Sequence, residues 1–387
     1  MQPIPLSDCP EAKQQQMLKS LQARFAEVPD LRQQGKVLHR LDEVLMVALC
    51  AVLCDCDSFT DMEDFAQTQL AWLRGFLVLE NGAPSHDVFR NVLLALRPQA
   101  LLDILTGWCG ELSGKHVAID GKTLRGTHNA EQGRHLVHLV RAWVDACSLS
   151  AGQVVCAEKS NEIEAIPRLL EALSLRGATV TLDAMGTQVA IAEQIHAAGA
   201  DYVLSLKANQ KGALQAVEAR FKEPSQAIAA SVRQHQSETL ELSHGRCERR
   251  CYSVIDDLDW FHKSWKWAGL QSVAQVRRSI QRNHESPLLE EVHYFLCSFK
   301  ADVQRLAALV RGHWAVENRC HWVLDVTFHE DHCQVRDIHG AHNLSILREM
   351  AMKALRDEPS KLSLRRKRRR AALDPVFRLK ILTSLHA

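Results

Sequence analysis

Apolar residues recur at helical spacing through the first part of the chain. Leu41, Val44, Leu45, Ala48 and Leu49 fall on one helical face, and Phe65, Leu70, Trp72 and Leu73 continue the pattern. A period near 3.6 of this kind predicts amphipathic helices. ENGAPSH (Glu80 to His86) interrupts it as a turn, with Ser85 placed to cap the next helix. Residues 1–112 therefore read as an all-helical N-terminal domain. The longest apolar run, LMVALCAVLC from Leu45 to Cys54, is closed by Asp55. It is too short to span a bilayer and suits a buried helix.

The period changes near Ser113-Gly114. HVAID (His116 to Asp120) reads as a short buried strand ending on a carboxylate, and Gly121, Lys122 and Arg125 follow. An alternating run (His138 to Ala146) and GQVVCAEKS (Gly152 to Ser160) complete a meander. A helix with Ile163, Ile166, Leu169, Leu170 and Leu173 on one face leads to ATVTLDAMG, a second strand ending in an acid, Asp183. A helix (Thr187 to Ala198) and the strand ADYVLSLK (Ala200 to Lys207) follow. Three strands, helix, strand, helix, strand is the order of an α/β core with mixed strand directions, assigned here to residues 113–223. Residues 224–300 hold β-prone segments (ETLELSH, RRCYSVID, QSVAQVRRSIQ, EVHYFLCSF) and read as a β-rich insertion. Residues 301–356 return to helical spacing, and 357–387 form a basic C-terminal tail.

Charge adds one feature. The net formal charge is +1 over 387 residues, so nothing draws the whole chain to nucleic acid or membrane. From Ala351 to Ala387, however, eleven Lys or Arg face three acids, and six cations form the run Arg365 to Arg370. Such a segment on a near-neutral body suggests a polyanionic partner. A solvated tail is the plainer reading. The N-terminus lacks the basic-then-apolar layout of a signal peptide, and a cytoplasmic protein is expected. The 12 Cys are scattered without paired knuckles. Cys320, His321, His332 and Cys333 could be imagined around zinc, but their spacing matches no standard ligand pattern.

The chemistry gathers at three places. Asp120 and Asp183 each follow a strand of the same α/β core, where sites collect. Two carboxylates there repel unless a cation lies between them, and Mg²⁺ accepts carboxylate oxygens while leaving positions for phosphate and water. Capping of nearby helices is the alternative use for such residues. The third place is RGHWAVENRCHWVLDVTFHED, Arg311 to Asp331, read as a helix on which His313, Glu317, His321 and Asp325 share a face. An acid–imidazole–acid face is costly to bury. It suits a metal or a phosphate backbone, or else solvent.

AIDGKTLRGT, EKSNEI, TLDAMGTQ, ADYVLSLKANQ, HGRCERR and HWAVENRCHWVLDVTFHED, in that order, resemble the motif series of H-repeat-associated insertion-sequence transposases. These belong to the DDE group, with an RNase H-like core. The similarity runs along almost the whole chain, including ENGAPSHDVF and the basic tail. Related DDE transposases carry Tyr, Arg and Lys around the last acid. Here those places hold Val310, His313 and Leu324, in the His-Trp form of the H-repeat branch.

The resemblance implies an RNase H-like mixed sheet flanked by helices, with the β-rich insertion before the last catalytic helix. It implies Asp120, Asp183 and Glu317 as catalytic acids and metal ligands, with Mg²⁺ as cofactor and Mn²⁺ able to substitute. Gly121 would let a phosphodiester approach the backbone. Lys122, Arg125, Lys207, Arg246, Arg249, His313, Asn318 and His321 would contact DNA, with Arg250 beside them. Trp314 and Trp322 are expected to pack, base stacking being the alternative. The implied activity is cutting an insertion sequence's ends and joining them to target DNA. The implied partner is double-stranded DNA, bound by a homodimer, at the nucleoid and not at a membrane. The alternatives are an inactive or domesticated transposase acting as a DNA-binding protein, a metal-dependent nuclease on the same core, and a structural zinc protein.

Overall fold

A computed structural model describes residues 11–127, 136–156, 162–243, 246–281 and 288–385. The N-terminal part is helical: α1 (Glu11–Ala26), α2 (Leu41–Leu53), α3 (Phe59–Thr68), the short α4 (Leu70–Leu73), α5 (His86–Ala95) and α6 (Pro98–Gly107). Every residue of α2 is buried, as expected of a helix apolar all round. Two acids enter with it. Asp42 pairs with Arg40 at 3.0 Å, and Glu43 accepts from the Val78 and Leu79 amides at 3.0 and 2.9 Å. Ser58 and Asp61 close a reciprocal capping box at the start of α3.

The core sheet is built from β1 (His116–Leu124), β2 (Val137–Val144), β3 (Leu149–Cys156), β4 (Thr179–Leu182) and β5 (Asp201–Leu206), with α7 (Glu162–Glu171) and α8 (Val189–Ala197) as crossovers. β2 runs antiparallel to both β1 and β3, while β4 and β5 are parallel to β1. β2 was expected to alternate between core and solvent. All eight of its residues are buried, because helices cover both faces of the sheet there.

The following segment carries α9 (Lys211–Lys222), α10 (Gln226–Gln234), β6 (Gln236–Ser243), β7 (Arg246–Ile255), α11 (Asp259–His262), β8 (Ser272–Gln281) and β9 (Leu289–Cys297). It does not make a separate sheet. β9 pairs antiparallel with β5, so the full order is β3-β2-β1-β4-β5-β9-β8-β7-β6.

Past the sheet come α12 (Val303–Val316), a π-helical turn (Glu317–His321), α13 (Trp322–Phe328), α14 (Ile338–Asp357), α15 (Leu364–Leu373) and α16 (Pro375–Leu382). α14 packs against α2, α5 and α6 on one side and against β3 on the other, which joins the N-terminal helices to the sheet. The segment read as a basic tail is folded. Lys367, Arg368 and Arg378 are buried, and Arg368 donates to the carbonyls of Val52 and Thr327 and pairs with Asp55 and Asp57. Among the described residues no helix is long and apolar enough to cross a membrane.

Candidate active site

Strand register brings the first two acids together. The parallel ladder between β1 and β4 ends at the pair Ile119 and Leu182, so the next residues, Asp120 and Asp183, stand side by side. Asp183 follows the end of β4, but β1 does not end on Asp120 as expected and continues to Leu124, paired with β2. Strands lie about 4.8 Å apart. Each carboxylate has one oxygen held by backbone. Asp120 Oδ1 accepts from the Gly121 amide at 2.9 Å, and Asp183 Oδ1 from the Met185 amide at 3.0 Å. Asp183 Oδ2 has no hydrogen-bond partner among the described residues. Burial holds the Asp120 carboxyl above its usual range against the opposing pull of His321 and His313, and the charge of Asp183 adds to the rise.

The third acid arrives on the helix that crosses this end of the sheet. The expected helical face is interrupted by the π turn from Glu317 to His321. A single wide turn inside an α-helix is common where function needs a side chain re-aimed. Here His321 Nδ1 lies 3.1 Å from Glu317 Oε2 and 3.5 Å from Asp120 Oδ2. The hydrogen bond from His321 lowers the pKa of Glu317, whose side chain is 74% exposed. Ligand atoms of Asp120, Glu317 and His321 all fall within 4.8 Å of one another, a spread that a single divalent cation can bridge. Asp183 stands one strand away, outside that group, and the buried His321 Nε2 has no hydrogen-bond partner.

Behind the acids lies a row of which the sequence had singled out only His313. His313 Nδ1 is 2.8 Å from Thr181 Oγ1, and the same hydroxyl is 2.8 Å from His116 Nε2. Burial lowers the pKa of His313, while Asp120 and Asp183 act to raise it. His116 is pushed down to about 4, by burial first and then by His313. Gly312 makes room for this row, since a Cβ there would sit 2.6 Å from His116 Nδ1. For the rest, the only hint in the sequence was alternation along β4, which turns Thr181 and Asp183 to the same face.

Several residues expected at DNA are placed otherwise. Lys122 is only 7% exposed, with its ammonium 2.6 Å from Asp325 and 3.0 Å from Asp331, so it is held by the chain's own acids rather than free for a phosphate. Gly121 does not open the backbone to a ligand. A Cβ there would meet Glu162 Oε1 and His138 Nε2 at 2.5 Å, so the glycine makes room for that buried pair. Arg249 pairs with Glu238 at 2.7 Å, and Arg250 with Glu248 at 2.5 Å. β7 begins at Arg246, whose side chain lies outside the described residues, as do residues 158–161 of EKSNEI. Arg125, though 3.6 Å from Asp331, is 82% exposed, and Lys207 and Asn318 also reach solvent. Trp314 packs between the guanidinium groups of Arg250 and Arg278, as expected of a core residue. Trp322 does not pack: it is 55% exposed. Cys320, His321, His332 and Cys333 form no metal-ligand group among the described residues.

Comparison with known proteins gives a consistent picture. The family profile described as "Transposase DDE domain" matches residues 111–352, and "DDE_Tnp_1-associated" matches residues 22–109. The chain is 36% identical to "H repeat-associated putative transposase YhhI" of Escherichia coli K12, over 94% of this chain and 98% of that protein. It is 34% identical to "Putative transposase YncI" of Escherichia coli O157:H7, over 95% of each. Among solved structures, a piggyBac transposase synaptic complex with hairpin DNA aligns over 96% of this chain and 80% of that one, with 10% identity and a TM-score of 0.43. That likeness is too loose to bear on the site.

Proposed function

The chain belongs to the DDE transposases, and on that premise we propose that it cuts the ends of an insertion sequence and joins them to target DNA through Asp120, Asp183 and Glu317. One arrangement supports the reading: the β1/β4 ladder ends on two adjacent carboxylates, and a π turn sets an exposed third acid against them. The donor set is mostly carboxylate oxygen, which suits a hard divalent cation, Mg²⁺ or Mn²⁺. Such ions, when bound, would lower the pKa of the attacking water and neutralise charge on the phosphate and the leaving 3′ oxygen.

The chain's own groups act by position. Backbone amides fix one oxygen of each aspartate and leave the other for the ion. His321 holds Glu317 toward Asp120, and Thr181 fixes the ring of His313 beside both aspartates. Arg125, Lys207 and Asn318 are the exposed groups placed to meet the DNA backbone. Joining needs two ends at once, so two copies are expected on DNA, at the nucleoid. The test is cleavage of a supercoiled plasmid carrying the element's own ends, with Mg²⁺, by wild type and Glu317→Gln. Nicks at the ends followed by joined products, both absent in the variant, are expected. Nicks without joining would reduce the protein to a nuclease. Binding without nicking in either protein would remove the catalytic assignment.

A further inference from the structure

The run of cations near the C-terminus divides in two. Lys367 donates to the carbonyls of Leu355 and Glu358, Arg368 pairs with Asp55 and Asp57, and Arg370 with Asp374. Arg365, Arg366 and Arg369 are exposed and have no partner among the described residues. These three lie at i, i+1 and i+4 of α15, so they share a side of the helix. Guanidinium groups left unpaired beside so many matched ones are available to an outside anion.

What they flank is specific. Arg365 and Arg369 line a cleft of about 200 Å³ together with Val326, Thr327 and His329. The cleft lies at the far end of the helix that carries the third acid. Its floor is held by the chain's own contacts: Arg368 pairs with both Asp55, which also lines the cleft, and Asp57, and His329 Nδ1 lies 2.7 Å from Asp57. Between the cleft and Glu317, the residues Asn318, Trp322 and Val326 are spaced by four and all exposed. They run as exposed positions from the π turn, which holds Asn318, onto α13, which holds Trp322 and Val326. From Glu317 to Val326 the helix advances roughly 14 Å at about 1.5 Å per residue. That is the length of about four nucleotides at about 3.4 Å each along a strand.

We propose that this run of exposed positions is a DNA track: a strand entering at Glu317 runs along α13 past Trp322, and its backbone phosphates are gripped by Arg365, Arg366 and Arg369 of α15. The proposal rests on the transposase reading and adds the surface along which DNA leaves the acids. An exposed tryptophan midway offers a stacking face for a base, which suits a substrate whose strands separate at the cut. Arginine suits the far end because its fork binds phosphate through two hydrogen bonds.

The experiment is fluorescence anisotropy of the full chain on a duplex carrying the element's end, at several salt concentrations. Wild type is compared with the triple variants Arg365→Ala/Arg366→Ala/Arg369→Ala and Arg365→Lys/Arg366→Lys/Arg369→Lys. Removing one cation that neutralises a phosphate lowers the slope of log affinity against log salt by about 0.9. The alanine variant is therefore expected to lose about 2 to 3 from that slope and to bind at least about tenfold more weakly. The lysine variant keeps most of the slope. Thermal unfolding with and without Mg²⁺ is expected to be unchanged in the alanine variant, because its side chains touch neither the fold nor the acids. If the alanine variant unfolds early, Arg365→Gln/Arg366→Gln/Arg369→Gln takes its place, and its slope must fall by about the same 2 to 3 for the track to stand. A wild-type slope with wild-type affinity in the folded uncharged variant overturns the track. Wild type that binds no DNA at low salt overturns the track and the transposase reading together.

Discussion

Two groups of carboxylates sit on the same face of the sheet and are treated in opposite ways. Arg141 stands directly across from Asp120 in the β1/β2 register, and a cross-strand ion pair would be ordinary there. It does not form. Arg141 instead reaches α14 and the turn after α13, with Glu349 at 2.9 Å, Glu330 at 3.1 Å and Ser345 at 2.6 Å. Lys122, two residues past Asp120, turns to Asp325 and Asp331. In this inner group the acids are met by Arg or Lys, and Arg141, Glu330 and Glu349 are fully buried. In the outer group no Arg or Lys among the described residues forms an ion pair with Asp120, Asp183 or Glu317; imidazoles and backbone amides meet them, and Lys122 acts on Glu317 only at longer range. The inner charges hold the fold together. The outer ones are left short of positive charge, which is what a cation site requires.

The contrast breaks most sharply at the outer acids. Asp120→Asn or Asp183→Asn is expected to reduce Mg²⁺-dependent cleavage to background while leaving the fold intact, since a repelling charge is removed rather than a partner. Saturating Mg²⁺ stabilises wild type by about 2.7 kcal/mol at a hundred times its dissociation constant. A thermal shift of that kind surviving in Asp120→Asn would put the metal elsewhere.

In the inner group the expected effect is on stability. Arg141→Met leaves Glu330 and Glu349 without their buried guanidinium, and loss of one partner from such a group costs about 3–5 kcal/mol. Urea unfolding reads this directly. A cost under about 1 kcal/mol would mean that the remaining donors suffice to hold those acids: Ser345 to Glu330, and Ser150 and Gln153, which donate to Glu349 at 3.1 and 2.7 Å.

Thr181→Val tests the row that joins the two groups' neighbourhood to catalysis. It keeps the shape and removes the hydroxyl between His116 and His313. Partners of this supporting kind are worth about 10–100-fold in activity, so kcat is expected to fall by that factor with DNA affinity unchanged and Thr181→Ser restoring it. A uniform loss of affinity and rate would instead mark a packing role.

The smallest effect is on pH. Burial drives His116 down to about 4 and His342 to about 3 from an ordinary 6.5. The unfolded chain therefore takes up these protons first. Their contribution to stability is full above pH 6.5 and declines as pH falls toward the folded values. Urea midpoints measured between about pH 7 and pH 5 are expected to drop, and to drop less in His342→Leu. Equal slopes would exclude His342 as a source.

How much of this was readable differs from place to place. Asp120 and Asp183 were legible because an acid after an apolar run breaks the pattern of its neighbours, although β1 continues past Asp120 to Leu124 where the apolar run alone suggested an end. Glu317 stood out by its imidazoles at spacing four, although the π turn that aims it left no trace in that spacing. Thr181, His116 and Gly312 were not legible, because a threonine in a buried strand and a glycine in a helix are ordinary until the elements cross. Trp322 was expected to pack like Trp314. The difference between them is which side of the helix meets the sheet, and helical period alone does not tell a covered face from an open one.

The sequence by itself determined the helical N-terminal part, the order of the sheet's elements and the family, but not the helices α15 and α16, which read there as a basic tail. What it determined follows from local period, from turn residues and from motifs read along one dimension. Only the tertiary structure decided which charges meet. Lys122 lies two residues past Asp120, one of the proposed catalytic acids, and binds others 203 and 209 residues away, and Arg141 lies opposite Asp120 and ignores it. Ion pairing depends on distances of a few ångströms and on burial. Both are set by how β1, the π turn and α14 pack, and no position along the chain encodes them alone.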